Sequence, residues 1–178
     1  HLPQGSYSII HNCIDTALFN YVPKQAEQRT KILSIRPFAS NQYANDLTVK
    51  CIHELAKKDY FNQLNIRILG DGILFDKVIK SLRKYKNVLC ERRFLHQNEI
   101  AELHKEYGLF LVPTRWDSQG VSRDEAMSSG LVPITNAIAA IPEFVDETCG
   151  ILTSGEDYMA MADGIDELYH KPELFLQM

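Results

Sequence analysis

The chain has 178 residues and a mass of 20.4 kDa, with 45% apolar and 24% charged residues, a composition that fits one folded domain and excludes a largely disordered chain. Its net charge of −4 argues against a surface built to coat nucleic acid. Apolar runs such as residues 109–113 are far shorter than the roughly 20 residues of a membrane-spanning helix.

Short apolar segments alternate with helical patterns from about residue 31 onward. The segments predicted to be strands are residues 32–35, 66–69, 88–90, 109–112, 132–135 and 151–152. Between them, apolar residues recur at helical spacing over residues 47–56, 75–82, 100–107 and 161–169. Ser154 followed by Asp157 is typical of the start of the last of these helices, and another helix is expected from Pro172. This alternation predicts an α/β fold with a doubly wound, Rossmann-like parallel sheet.

The first 30 residues do not follow this alternation and are interpreted as a lead-in or linker segment. The chain does not start with Met, so we expect it to be a piece of a longer protein. Its cysteines form no C-x-x-C pair and lie in apolar neighbourhoods, at positions 13, 51, 90 and 149. This usage favours reduced, partly buried thiols and a cytoplasmic location over a disulfide framework.

Doubly wound sheets bind ligands outside the carboxyl ends of their strands, so the loops at that edge are the candidate site. After Leu69, the residues Gly70, Asp71 and Gly72 can form the tight turn with which phosphate-binding loops begin. The third glycine of a G-x-G-x-x-G motif is replaced by Phe75. An ordinary strand-to-helix turn is therefore favoured over a dinucleotide site.

The loop after the fourth predicted strand carries the largest set of polar groups. A bend at Gly120 would leave the N–H groups of Gly120, Val121 and Ser122 at a helix N-terminus, where they can bind an anion. Asp117 and Glu125 can face the same cleft and accept hydrogen bonds from hydroxyl groups. An N-terminal aspartate beside a solvated helical glutamate is an equally good interpretation of these two carboxylates.

Arg36 follows the first predicted strand, and its fork of donors suits a phosphate, although a surface arginine is the favoured interpretation from the residue alone. Lys77, Lys80 and Lys84 fall on one predicted helical face. This stripe suits peripheral contact with an anionic membrane, but a solvated helix face is favoured over that contact.

Five segments, taken in order, resemble the C-terminal, donor-binding domain of family 4 glycosyltransferases of GT-B fold. Residues 8–19 resemble the family's V-I-P-N-G-I-D segment, and residues 31–37 resemble the strand that ends in a diphosphate-binding arginine. Residues 68–72 resemble its V-G-D-G turn, and residues 113–127 resemble its E-x7-E signature. Residues 130–143 keep the length of G-L-P-V-V-A-S-D-V-G-G-I-P-E. The resemblance covers about residues 8–170.

The resemblance implies a nucleotide-sugar donor, linked to UDP or GDP. By that resemblance, Arg36 would neutralise the diphosphate, Asp117 would sit at the donor sugar, and Glu125 would hydrogen-bond the ribose. The backbone near Phe94 and Leu95 would read the nucleobase. The residues expected to bind the donor are Gly70, Gly72, Phe94, Leu95, Ser118, Gln119, Gly120, Val121 and Ser122.

The resemblance also implies transfer with retention of anomeric configuration, without a cofactor or a required metal, in the synthesis of cell-surface polysaccharide. The six histidines are scattered and form no H-E-x-x-H motif. The acceptor, a glycan or a lipid-linked sugar, would be bound by an N-terminal domain that this chain lacks. Residues 1–30 would then be the interdomain lead-in and residues 31–178 the donor domain, which we expect to be inactive in transfer on its own.

Four departures from the family pattern keep two alternatives open. Asp117 stands where the signature has glutamate, and the lysine that usually follows the strand-end arginine has no clear counterpart. Ala139 and Ala140 replace paired glycines, and Cys13 replaces the glycine of N-G-I-D. The first alternative is a nucleotide-sugar-binding module without transferase chemistry. The second is a GT-B-fold sugar-nucleotide epimerase, against which the E-x7-E-like signature argues.

Overall fold

The computed structural model describes Gly5 and residues 8–178. Its strands are β1 (Lys31–Ile35), β2 (Asn65–Gly70), β3 (Val88–Arg92), β4 (Leu109–Leu111), β5 (Val132–Asn136) and β6 (Ile151–Thr153). They form one six-stranded sheet in the order β3-β2-β1-β4-β5-β6, and all neighbouring strands are parallel. This topology confirms the predicted doubly wound α/β fold.

Helices cover both faces of this sheet. They are α1 (Asn45–Leu55), α2 (Phe75–Ile79), α3 (Gln97–Glu106), α4 (Val121–Ser128), α5 (Tyr158–His170) and α6 (Pro172–Gln177). Short 3-10 turns include Ala26–Thr30, immediately before β1. The described residues contain no helix long and apolar enough to cross a lipid bilayer. The interpretation of residues 1–30 as an interdomain segment stays a prediction, and residues 1–4, 6 and 7 lie outside the described part.

Successive side chains of the central strands point to opposite faces of the sheet, and this alternation divides the core in two. Ile32 and Leu109 belong to the cluster that includes residues of α1 and α5. Leu33 and Phe110 belong to the cluster on the other face, beside α3 and α4. Because both faces of these strands are covered, they had to be continuously apolar, which is why their positions were predictable to within two residues.

Three local predictions are corrected by the structure. The last long helix does not start at Ser154, because Asp157 is the capping residue and accepts a hydrogen bond from the N–H of Ala160. The helix predicted over residues 75–82 ends at Ile79 and continues as a 3-10 turn, Lys80–Lys84. Ile79 and Leu82 are both buried, and either helix type can place residues three apart on one face, so the apolar spacing did not reveal the change.

The third correction concerns the thiols. All four cysteines are free, but Cys13 is exposed, whereas Cys51 is buried and Cys90 and Cys149 are half-buried. Cys13 lies in the irregular segment before β1, which contributes few side chains to the core. Burial raises the pKa of the Cys51 thiol and raises that of Cys90 to about 11, so these two thiols resist ionisation.

His104 gives the fold a predicted sensitivity to acid. Its ring is buried between Phe19 and Phe110, with ring-centre distances of 5.6 and 5.8 Å. Burial, assisted by the charge of Lys24, lowers the pKa of His104 to about 4 from 6.5. Between these two pH values the unfolded chain binds a proton that the folded chain does not. The free energy of unfolding should therefore fall by up to about 3 kcal/mol as the pH drops from 6.5 to 4.

Urea unfolding at a series of pH values tests this expectation. In His104→Gln, stability should decline less steeply over this range, whatever the stability of the variant at neutral pH. His170→Gln is the matched control, because His170 is exposed at the end of α5. Parallel stability curves for the wild type and His104→Gln would show that the buried ring does not carry this pH dependence.

Candidate functional site

The chain builds the sheet outwards in opposite directions from β1 and from β4, and the candidate site lies where these two strands are neighbours. The connections from β1 and β4 run to opposite sides of the sheet, so a crevice opens between the carboxyl ends of the two strands. Arg36 directly follows β1, and residues 112–120 follow β4. The two segments from which the sequence predicted a site therefore meet in that crevice.

Arg36 is buried in this crevice, with only 6% of its surface exposed, so the surface interpretation of this residue is wrong. One terminal nitrogen donates to Oγ of Ser122 at 3.4 Å, and the other lies 3.9 Å from a carboxylate oxygen of Asp117. The guanidinium carbon lies 5.2 Å from the centre of the Tyr43 ring. Its Nε is buried and has no hydrogen-bond partner among the described residues. A buried cation with a free donor is suited to an anionic ligand.

The electrostatic surroundings of Arg36 are mixed. Burial lowers the pKa of Arg36, the nearby Asp117 opposes that shift, and the second buried guanidinium, Arg123, adds to it. An arginine nevertheless stays protonated in proteins. Arg123 is paired with Asp124, so Arg36 and the N-terminus of α4 are the groups that make this part of the crevice attractive to an anion such as a diphosphate.

The Gly70 turn closes one side of the crevice. Gly70 has a φ of +156°, and a Cβ at this position would lie 1.9 Å from the carbonyl oxygen of Arg36. A Cβ at Gly72 would lie 2.2 Å from the backbone carbon of Phe38. The two glycines therefore allow the turn after β2 to pack directly on the backbone that carries Arg36. Gly70 lines the cavity described next, and Gly72 faces the loop after β1.

A largely apolar cavity of about 230 Å³ adjoins Arg36. Its lining includes residues at the carboxyl ends of β1, β2 and β3 and in the first turn of α4, among them Arg36, Gly70, Arg93, Phe94, Leu95 and Ser122. Leu95 is buried, whereas Phe94 is 76% exposed. The cavity therefore combines an apolar wall, suited to a flat heterocycle, with a buried cation.

The helix N-terminus predicted after Gly120 is present. Gly120 has a φ of +86° and precedes α4 directly. A Cβ there would lie 2.9 Å from a terminal nitrogen of Arg123, so a side chain would crowd the buried guanidinium. Val121 and Ser122 occupy the first turn, where N–H groups have no acceptor within the helix. These groups, with the Ser122 hydroxyl beside Arg36, form one end of the crevice.

The remaining predicted residues have different surroundings, and their roles stay predictions. Ser118 is exposed. Gln119 is buried, and its side-chain amide is bonded to Asn12 and Asp124. Glu125 is half-buried one turn into α4 and lies outside the lining of the apolar cavity. Burial, with the neighbouring Asp124, raises the pKa of Glu125.

Two buried or half-buried polar side chains hold the loop that carries Asp117. The side-chain oxygen of Asn136, at the end of β5, accepts from the N–H of Thr114 at 2.9 Å, and its nitrogen donates to the carbonyl of Thr114 at 2.8 Å. Arg115 makes bidentate ion pairs with Asp46 and Glu156, and lowers the pKa of both carboxyl groups. The loop is therefore bonded to three neighbouring segments before it reaches Asp117.

Arg93 is a cavity residue that the sequence interpretation missed. It follows β3 as Arg36 follows β1, and this shared position was the available signal. One terminal nitrogen donates to Glu99 at 2.7 Å, and its Nε lies 3.6 Å from Glu91. These contacts hold a cation at the wall of the cavity. In the described residues, no three His, Cys, Asp or Glu side chains are grouped to hold a metal ion, and the metal requirement stays untested.

Comparison with known proteins connects this site to a family. The family model "Glycosyl transferases group 1" matches residues 29–171. The lipopolysaccharide core biosynthesis mannosyltransferase LpsB of Rhizobium meliloti is 29% identical over 103 residues, which cover 54% of this chain and 29% of that protein. An uncharacterized glycosyltransferase of Haemophilus influenzae is 26% identical over 136 residues, which cover 75% of this chain and 38% of that protein. The chain thus matches less than half of each relative.

Solved structures share the fold. The C-terminal domain of the group 1 glycosyl transferase LpcC from Francisella tularensis has a TM-score of 0.76 at 18% identity, covering 93% of this chain and 92% of that one. S. aureus TarM, in complex with UDP among other ligands, has a TM-score of 0.73 at 22% identity, covering 96% of this chain and 33% of TarM. Because the family model matches residues 29–171, the chain belongs to the glycosyl transferases group 1 family.

Proposed function

We propose that this chain is the donor-binding domain of a retaining, family 4 glycosyltransferase that moves a sugar from a nucleotide diphosphate sugar to a glycan or lipid-linked acceptor. The observation that carries the proposal is the buried Arg36, which lies between the N-terminus of α4 and an apolar cavity at the switch point of the sheet. A diphosphate at Arg36 and a nucleobase in the cavity would use both features at once.

Arg36 and the α4 N-terminus fit the charge that such a reaction develops. When the bond between the anomeric carbon and the diphosphate oxygen breaks, its electron pair stays on the leaving diphosphate. Arg36, the hydroxyl of Ser122 and the first N–H groups of α4 are preorganised donors for that charge. This arrangement supports the proposal that the domain needs no bound metal for this step.

The roles of the other donor groups follow the family resemblance of the sequence and the places of these residues around the crevice. The cavity wall at Phe94 and Leu95 would contact the base, Glu125 would accept from the ribose hydroxyls, and Asp117 would lie towards the donor sugar. We propose that a separate domain binds the acceptor. The names of the relatives, a lipopolysaccharide core mannosyltransferase and a protein of a Klebsiella pneumoniae cps region, support a role in cell-surface polysaccharide synthesis.

Nucleotide titration tests the proposal. Calorimetric titration of this chain with UDP, GDP and their sugar conjugates should show binding of at least one of them. Glu125→Ala should weaken that binding roughly 10- to 100-fold, since losing a hydrogen bond to a carboxylate costs about 1.5–3 kcal/mol. Glu102→Ala is the matched control, because Glu102 is exposed on α3 and pairs with Lys105. If the wild-type chain binds none of these compounds, the proposal fails.

A second measurement separates the transferase from a binding module without chemistry. It uses a protein that carries both this domain and an acceptor-binding domain, and follows the slow release of free sugar from the bound donor. Transferases hydrolyse their donors at a low rate when water replaces the acceptor. Tight nucleotide binding with neither hydrolysis nor transfer would favour the non-catalytic module.

A further inference from the structure

The backbone at Asn12 is tied to the site loop by one side chain. The side-chain oxygen of Gln119 accepts from the N–H of Asn12 at 2.7 Å, and its nitrogen donates to the Asn12 carbonyl at 3.1 Å. Asn12 itself is exposed, whereas Gln119 is only 7% exposed and is 107 residues away in the sequence. The buried side-chain amide of Gln119 thus bonds both the backbone N–H and the backbone carbonyl of Asn12.

Behind Gln119, a buried network continues to the N-terminus of α4. The Gln119 nitrogen also donates to Asp124 at 3.0 Å. Arg123, 1% exposed, donates to Asp124 and to the carbonyl oxygen of Gln119, and its guanidinium lies 5.1 Å from the Phe144 ring centre. Gly120 packs on the same guanidinium. The contacts of Gln119 are therefore continuous with the backbone that presents the N–H groups of α4.

The segment that begins at Asn12 is attached to both ends of α4. Gln119 binds it just before the helix starts, and the hydroxyl of Ser128, in the last turn, donates to the carbonyl of Phe19 at 2.6 Å. Phe19 is buried, whereas Ile9 and Ile10 are 72% and 90% exposed. A displacement of the chain before Asn12 would therefore act first on Gln119 and on the N-terminal end of α4.

From these contacts we infer that Gln119 is a positioning residue, which couples the position of the backbone at Asn12 to the placement of the Gly120–Ser122 N–H groups. The inference rests on the proposed function, because it assigns those groups to a phosphate of the donor. Gln119 does not touch the donor in this account. It holds the loop in the binding geometry while residues 12–19 stay docked along α4.

Two substitutions and one control test this coupling. Gln119→Ala should weaken binding of UDP or GDP roughly tenfold. It should also raise together the hydrogen-exchange rates of the Asn12 N–H and of the Arg123 and Asp124 N–H groups, which donate to the Gly120 carbonyl in the first turn of α4. Gln63→Ala is the matched control, because Gln63 accepts from Tyr169 just before β2, at the opposite edge of the sheet. Gln63→Ala should leave both readouts at wild-type values.

Gln119→Glu adds a second readout, the pH dependence of nucleotide affinity, which a loss of packing alone would not change. The introduced carboxylate, when ionised, faces the carboxylate of Asp124 and cannot donate to the Asn12 carbonyl. When protonated, it regains a donor. Other ionisable groups near this pair, among them Asp117, Arg123 and His11, are the same in the wild type. The deficit in nucleotide affinity relative to wild type should therefore shrink from roughly tenfold at pH 8 to about threefold or less at pH 5.

The outcomes separate this inference from the proposed function. If the wild type binds no nucleotide, the proposed function fails, and the coupling is then judged by hydrogen exchange alone. If the wild type binds and Gln119→Ala binds equally well, the inference is overturned. Exchange that rises at Asn12 but not in the first turn of α4 also overturns it, because the two ends of the network would then be independent. A pH-independent deficit in Gln119→Glu would show a merely structural role.

Discussion

Replacing Gly70 with alanine is expected to lower the free energy of unfolding by at least about 3 kcal/mol and to abolish nucleotide binding. The added Cβ would lie 1.9 Å from the carbonyl oxygen of Arg36, so the turn after β2 or the end of β1 must move. The φ of +156° adds a backbone cost, because side chains with a Cβ rarely adopt it. Urea unfolding measures the first effect, and titration with the nucleotide measures the second.

Gly155→Ala separates backbone strain from the steric clash. Gly155 has a φ of +51°, but a Cβ there would have no heavy atom of the described part of the chain within 4 Å. It should cost only about 1 kcal/mol, which is the backbone contribution alone, and leave nucleotide affinity unchanged. If Gly70→Ala unfolds at the same urea concentration as Gly155→Ala, the close approach of the two loops does not stabilise the fold.

Removal of the Arg36 guanidinium is expected to weaken the binding of phosphate-bearing ligands selectively. Arg36→Met keeps most of the apolar stem but removes the charge, and should weaken binding of a nucleoside diphosphate about 100-fold or more. One or two charge-assisted hydrogen bonds to phosphate account for this loss, at about 1.5–3 kcal/mol each. Binding of the corresponding nucleoside, which has no phosphate, should change little. Calorimetric titration with both compounds tests the prediction.

An arginine at the other end of β1 provides a control for this prediction. Arg29 lies just before β1 and donates to the carbonyls of Tyr169 and Ala26, so Arg29→Met removes a part-buried guanidinium at the opposite edge of the sheet. It should leave nucleotide affinity unchanged. Equal losses of nucleoside and nucleoside diphosphate affinity in Arg36→Met would contradict a phosphate contact, and would indicate that the variant distorts the cavity instead.

The pairing of Arg36 with Asp117 concerns the position at which this chain has aspartate and the E-x7-E signature has glutamate. Asp117 lies 3.9 Å from the guanidinium, at the place where a diphosphate would approach. Its carboxylate partly neutralises Arg36, so under the proposed function a diphosphate would have to compete with Asp117 for the guanidinium. The aspartate at this position therefore interacts with Arg36, and this interaction does not depend on a role of Asp117 at the donor sugar.

Most of the architecture was readable from the sequence, because buried parallel strands must be apolar and amphipathic helices must repeat their apolar residues. The start of the last long helix was misplaced because Ser154 and Asp157 both have capping side chains, and only the local geometry selects Asp157. Residues 75–82 were predicted to form one continuous α-helix, whereas the α-helix ends at Ile79. The apolar pattern does not distinguish an α-helix from a 3-10 turn over so few residues.

For this protein, the sequence alone determined the α/β class, the six strands and the polar residues that follow their carboxyl ends, since these depend on local patterns. Only the tertiary structure decided that β1 lies beside β4, which brings Arg36 to the N-terminus of α4 and buries it. It also decided that Gln119 binds Asn12. The reason is physical: strand order and burial arise from the packing of distant segments, which no local pattern of residues specifies.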